Sequence, residues 1–114
     1  MKESYGIKFI DNSLNLKIKQ LNSGTNEDKE LYRLIKRSIN KIKENPFNSI
    51  IVKKNQIPKI YVKKYQITNL RILKLNQNWR LIYTITSNEI QIISIVLEIL
   101  NHKNYEKRFN YKTK

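Results

Sequence analysis

The stretch Asn69–Thr86, NLRILKLNQNWRLIYTIT, decides the reading of this chain. Two β-rich runs flank the short polar break Asn76-Gln77-Asn78, the pattern of a hairpin between strands at about 69–76 and 79–87. Each run carries a bare arginine, Arg71 and Arg80. Alternation separates the second run into Trp79, Leu81, Tyr83 and Ile85 on one face and Arg80, Ile82 and Thr84 on the other. The first set is the better core face, which leaves Arg80 on the open side. Arg71 shares parity with Leu73 and Leu75, so a bulge or a half-buried place is open to it.

Outward toward the C-terminus, Ser87-Asn88 makes a second break and a third run follows at about 89–99. It is apolar on both faces from Ile90 to Val96, as a strand inside a sheet reads. Toward the N-terminus lies a basic, Pro-containing connector from Phe47 to Gln66. Before it, Leu31, Leu34, Ile35, Ile39 and Ile42 form one apolar helical stripe. Thr25 and Asp28 begin that helix as a capping box, acids sit in its first turn, Lys41 and Lys43 near its end, and Pro46 stops it. Leu14, Ile18 and Leu21 have helical spacing, although Leu14, Leu16 and Ile18 also alternate. With Asp11, Asn12 and Ser13 as N-cap candidates and Asn22-Ser23-Gly24 as a stop, the helix is preferred. Residues 5–10 read as a first strand, laid along the free edge of the last one.

The expected fold is therefore α+β: an N-terminal strand and a helical hairpin packed on a small, mostly antiparallel four-stranded sheet, with a short C-terminal helical segment. The 114 residues make one domain, 1–114. No cysteine is present, so disulfides and thiolate metal sites are excluded, which fits a reducing cytoplasm. No run is long and apolar enough for a membrane helix, and a secretory signal is missing at the N-terminus.

Charge is the strongest global signal: 23 Lys and Arg against 9 acids, a formal net +14. Such an excess attracts polyanions. From Asn45 to Asn88 there is no Asp or Glu, while Lys53, Lys54, Lys59, Lys63, Lys64, Arg71, Lys74 and Arg80 all fall there.

The order of strand, helical hairpin and three-stranded meander resembles the RelE/ParE superfamily of type II toxins. The likeness covers roughly residues 5–111 and rests on four pieces in order: the helix ending KENPF, the NLRILKL run, NWRLIYTI, and the terminal HKNYEKRF. The IPKIYVKKYQITNL connector is similar to a RelE-type subgroup. The resemblance implies a helical hairpin over one sheet face and an open, concave, basic face opposite. It further implies a ribosome-dependent mRNA endonuclease that arrests translation in the cytoplasm. The partners implied are the ribosome, mRNA and a cognate antitoxin that holds a monomeric toxin silent. The alternatives are a ParE-like poison of DNA gyrase and an inactive member that only binds RNA or antitoxin.

RNA cleavage can proceed with no metal and no cofactor, because the 2′-OH is a built-in nucleophile. It needs a base for that hydroxyl, cations against the charge at phosphorus, and an acid for the departing 5′-oxygen. Arginine grips two phosphate oxygens and stays charged, which suits Arg80 to the clamp and Arg71 to a second one. His102, the single histidine, follows the last strand, with Tyr105 one helical turn on. The expected roles are His102 as general acid or base and Tyr105 as a stacking or proton-transfer group. Leu73 stands where relatives of the RelE type carry a second lysine, so Lys74 or Lys64 has to substitute. Lys53, Lys54, Lys59, Lys63, Lys64 and Tyr65 are the expected RNA-binding residues of the connector, read as a loop.

Overall fold

The structure is a computed structural model that describes residues 5–110. Residues 1–4 and 111–114, part of the domain expected over 1–114, lie outside the described residues. In chain order the elements are β1 (Tyr5–Phe9), α1 (Asn12–Leu21), α2 (Asn26–Glu44), β2 (Ile50–Ile51), α3 (Lys59–Tyr65), β3 (Arg71–Lys74), β4 (Trp79–Ser87), β5 (Ile92–Asn101) and α4 (His102–Phe109). The class is α+β, as expected.

The sheet has five strands rather than four, in the order β1-β5-β4-β3-β2. The added strand, β2, comes from the connector: Ile50 and Ile51 pair antiparallel with Ile72 and Arg71. β1 runs parallel to β5, with Tyr5 opposite Ile92 and Phe9 opposite Val96, while the other pairs are antiparallel. β5 is thus an inner strand, which is why it is apolar on both faces.

Local chemistry sets the helices. Asp11 caps α1 by accepting from Leu14 N at 2.8 Å. Thr25 and Asp28 form the reciprocal capping box of α2, at 3.1 Å each way. The stripe of α2 buries Leu31, Ile35, Ile39 and Ile42 against the sheet face that carries Trp79, Leu81, Tyr83 and Ile85. The expected core face of β4 is the observed one.

The opposite face departs from expectation. It is not open: Val52, Ile57, Tyr61 of α3 and Phe109 of α4 pack there with Leu70, Ile72, Ile82, Leu97 and Leu100 in one buried cluster. Ile82 and Thr84, expected on an open side, are buried. The sheet is sandwiched between two helical layers. The connector is therefore no loop. It contains β2, a 3₁₀ turn at Lys54–Gln56 and α3. Its apolar Val52, Ile57 and Tyr61 are spent on covering the sheet.

Strand ends shift for identifiable reasons. β3 is shorter than the expected 69–76 because Asn69 joins through its side chain, accepting from Ile85 N at 2.9 Å and donating to Ile85 O at 2.8 Å. β5 begins at Ile92 because Asn88 Oδ1 holds Ile90 N and Gln91 N in a turn, at 2.8 and 2.7 Å.

Candidate nucleic-acid interface

The register of β3 against β4 places Lys74 opposite Arg80. Facing residues of an antiparallel pair project to the same side. That side is the one carrying α3 and α4, at the end of the hairpin where the cover stops: Lys74 is exposed and Arg80 is half-buried. One edge of the Arg80 guanidinium is fixed, with Nη1 donating to the carbonyls of Asn76, Trp79 and Gln77 at 2.9, 3.2 and 3.3 Å. Its Nε and Nη2 make no hydrogen bond among the described residues, so the remaining edge of the fork is free for an oxyanion.

α4 supplies the neighbours. Asn101 pairs with Trp79 at the end of β5 and caps α4, accepting from Asn104 N at 2.8 Å. The helix thereby starts beside Arg80. Tyr105 lies with its ring centroid 5.4 Å from the Arg80 guanidinium carbon, a cation–π contact, and 4.9 Å from the tilted ring of Phe109. His102, on the first turn, has a side chain 53% exposed, and its Nε2 lies 3.4 Å from Glu106 Oε1. Arg80, Lys74 and Tyr105 are thus neighbours at the corner formed by the β3–β4 hairpin and α4, and His102 is the first residue of that helix. Among the described residues, no group of three or more His, Asp or Glu side chains is placed to hold a metal ion.

Arg71 is elsewhere. It pairs with Tyr83 and so projects toward the helical hairpin, on the face opposite Arg80. Its Nη1 donates to Phe47 O at 3.0 Å and to Ser49 O and Oγ at 3.4 Å, and its guanidinium stacks 5.4 Å from the Phe47 ring. Tyr83 Oη donates to Pro46 O at 2.6 Å from the same face. Burial pushes the Tyr83 phenol up from its ordinary value, against a small lowering from Ser49 and Arg71. Arg71 ties the 46–49 segment to the sheet.

The other expected RNA contacts divide between two places. Lys53 and Lys54 lie at the 3₁₀ turn beyond β2, and Lys59, Lys63 and Lys64 lie on α3; all are exposed. Tyr65 is half-buried, stacked on Tyr61 at 6.4 Å with 21° between the rings and approached by Lys64 Nζ at 5.4 Å. Compared with protein-family models and with curated proteins, the chain has no match.

Sequence reading missed one cluster on this side of the sheet. Glu98 of β5 accepts from Tyr61 Oη of α3 at 2.7 Å and from Arg108 of α4 at 2.9 and 3.1 Å. A single carboxylate in the apolar run IISIVLEIL was the available signal, since such a group needs a cation nearby. Burial first, then the bond and charge of Glu98, push the Tyr61 phenol far above its ordinary value. The bond to Glu98 in turn raises the Arg108 guanidinium.

Proposed function

We propose that this chain is the toxin of a type II toxin–antitoxin pair, a ribosome-dependent mRNA endonuclease working without a metal or cofactor. The observation that carries the reading is the Lys74–Arg80 pair, set in register on one face, with Arg80 against Tyr105 of the helix that His102 opens. The resemblance of KENPF, NLRILKL, NWRLIYTI and HKNYEKRF to the RelE/ParE superfamily agrees with it.

In this reading the scissile phosphate sits against the free edge of the Arg80 fork, with the Lys74 ammonium beside it. The RNA 2′-oxygen attacks phosphorus, the bond to the 5′-oxygen breaks, and a 2′,3′-cyclic phosphate and a 5′-hydroxyl result. His102 takes the proton of the 2′-oxygen or gives one to the departing 5′-oxygen, water handling the other, with Glu106 orienting its imidazole. Tyr105 holds the Arg80 guanidinium flat, so little reorganisation is needed as charge grows on the phosphate. The exposed lysines of α3 hold the flanking strand.

The proposed partners are the ribosome, mRNA and a cognate antitoxin, with the toxin itself monomeric and cytoplasmic. Ile50 and Ile51 on the edge strand, 59% and 66% exposed beside Lys53 and Lys54, offer an apolar and cationic seat that suits an acidic antitoxin.

Primer extension on ribosome-bound message in a translation extract tests the activity. Truncated message is expected from the natural chain. Arg80→Ala and His102→Ala, both folded, should cut at least ~100-fold more slowly. Full cleavage by both variants would overturn the assignment, and a supercoiling defect with intact message would replace it by gyrase poisoning.

A further inference from the structure

The alternation of β5 breaks at one residue. Val96 lies opposite Tyr83 and Glu98 lies opposite Ile82, so Leu97 is the extra residue of a bulge. Ahead of it, Val96 packs under the helical hairpin; beyond it, Ile99 does, while Leu100 joins Phe109 on the other side. Even-numbered positions have changed faces, and Glu98 has changed with them. Without the bulge this carboxylate would project into the layer beneath α2. With it, Glu98 meets α3 and α4.

There the carboxylate takes donors from two helices. Arg108 reaches it as a fork, Nε to Oε1 at 2.9 Å and Nη2 to Oε2 at 3.1 Å, while Tyr61 Oη donates to Oε1 at 2.7 Å. The Arg108 guanidinium also lies 5.7 Å from the centre of the Tyr61 ring. A fork on a carboxylate fixes orientation as well as distance. Arg108 stands one turn beyond Tyr105, so the two share a side of α4. An eight-residue helix has little stability of its own and takes its position from tertiary contacts.

We propose that Glu98 is a positioning residue: through Arg108 and Tyr61 it sets the roll of α4, and thereby seats Tyr105 under Arg80 and His102 at the corner of the site. Its kinetic consequence rests on the endonuclease reading; its geometric one does not. The pair is partly exposed, 25% for Glu98 and 31% for Arg108, so its loss disturbs geometry more than global stability.

The test uses Glu98→Ala, Arg108→Ala, the double variant and Arg108→Lys, which keeps the charge but loses the fork. Amide exchange over 102–109 and the ring-current shift of the Arg80 side chain from Tyr105 are read by NMR, with α2 as the internal reference. In both single variants exchange in α4 should rise at least ~10-fold over α2, and the Arg80 shift should fall by more than half. Cleavage kcat should fall about tenfold with KM nearly unchanged, the double variant should match the singles, and Arg108→Lys should recover only part. An unchanged Arg80 shift overturns the proposal, as does a double variant that multiplies the two losses. A natural chain that cuts no RNA sinks the endonuclease reading, and the Arg80 shift still decides the role of Glu98.

Discussion

Arg71 and Arg80 sit in paired strands, yet their surroundings give them different work. Arg71 is held by the Phe47 and Ser49 carbonyls, the Ser49 hydroxyl and the Phe47 ring, all on the hairpin face. Arg80 has one amine tied to its own hairpin and the rest of the fork presented beside Lys74. Arg71→Ala should therefore lower stability by about 1–2 kcal/mol, read from denaturant midpoints, and leave cleavage per folded molecule within a few-fold. Arg80→Ala should do the reverse. Equal losses of activity in the two variants would mean that the arginines act as one clamp. The buried phenols set the alkaline limit in a similarly local way. Tyr61 and Tyr83 are both pushed up by burial. A raised folded-state value means that the unfolded chain loses these protons first, from about pH 10. Stability is then fully present below about pH 10 and falls as pH climbs beyond it. Tyr61→Phe and Tyr83→Phe should each flatten that fall in thermal melts taken between pH 9 and 11, at the cost of a weaker protein at neutral pH.

Elements differed in how far they could be read from residues alone, and the difference follows sequence separation. The capping box of Thr25 and Asp28, the stripe of α2 and the stop at Pro46 are local signals, and the helix stands where they put it. The core face of β4 was legible because alternation runs unbroken from Trp79 to Ile85. α3 was not, because Lys59–Tyr65 is seven residues long, lacks a side-chain cap, and holds its place through Tyr61 in a cluster with β5 and α4. The bulge at Leu97 was hidden for the same reason: a run apolar on both faces gives no parity to break. Arg80 faces Lys74 across the hairpin and meets the ring of Tyr105, and His102 opens the helix that carries that ring. Arg71 stays apart, since its parity with Leu73 sends it to the other face. The shortened β3 supplies the test at this scale. Asn69 continues the ladder with its amide, bonding Ile85 N and O, while Thr84 Oγ1 donates to its carbonyl at 2.7 Å. Asn69→Ala should cost about 1–3 kcal/mol and speed exchange at Ile85, because a half-buried N–H and C=O lose their partners together. An unchanged melt would show that solvent replaces the amide.

Across the whole molecule, five of the nine acids fall in the helical hairpin, at Asp11, Glu27, Asp28, Glu30 and Glu44. Asp11 caps α1, Glu27 and Asp28 open α2 and Glu30 pairs with Arg33, so four of the helical hairpin's acids sit where a helix N-terminus or a neighbouring arginine favours them. The acid-free stretch from 45 to 88 builds β2, α3, β3 and β4 instead. Its exposed lysines flank the far layer, the one that holds the Arg80 corner. The same segment therefore supplies apolar cover for the sheet through Val52, Ile57 and Tyr61 and cations for a polyanion through the residues between them. That division gives a quantitative expectation. If about four cations neutralise phosphates of a single strand, log affinity should fall against log salt with a slope near −3, about 0.7 for each contact. Replacing Lys63 and Lys64 together with Ala should reduce the slope by about 1.4, with no change in melting temperature beyond the error of the measurement. Arg80→Ala should remove about one contact more. Titrating a fluorescent single-stranded RNA across 50–300 mM salt measures all three. A flat titration, or a slope that ignores these substitutions, would show that the charge excess keeps the protein in solution and holds no RNA backbone.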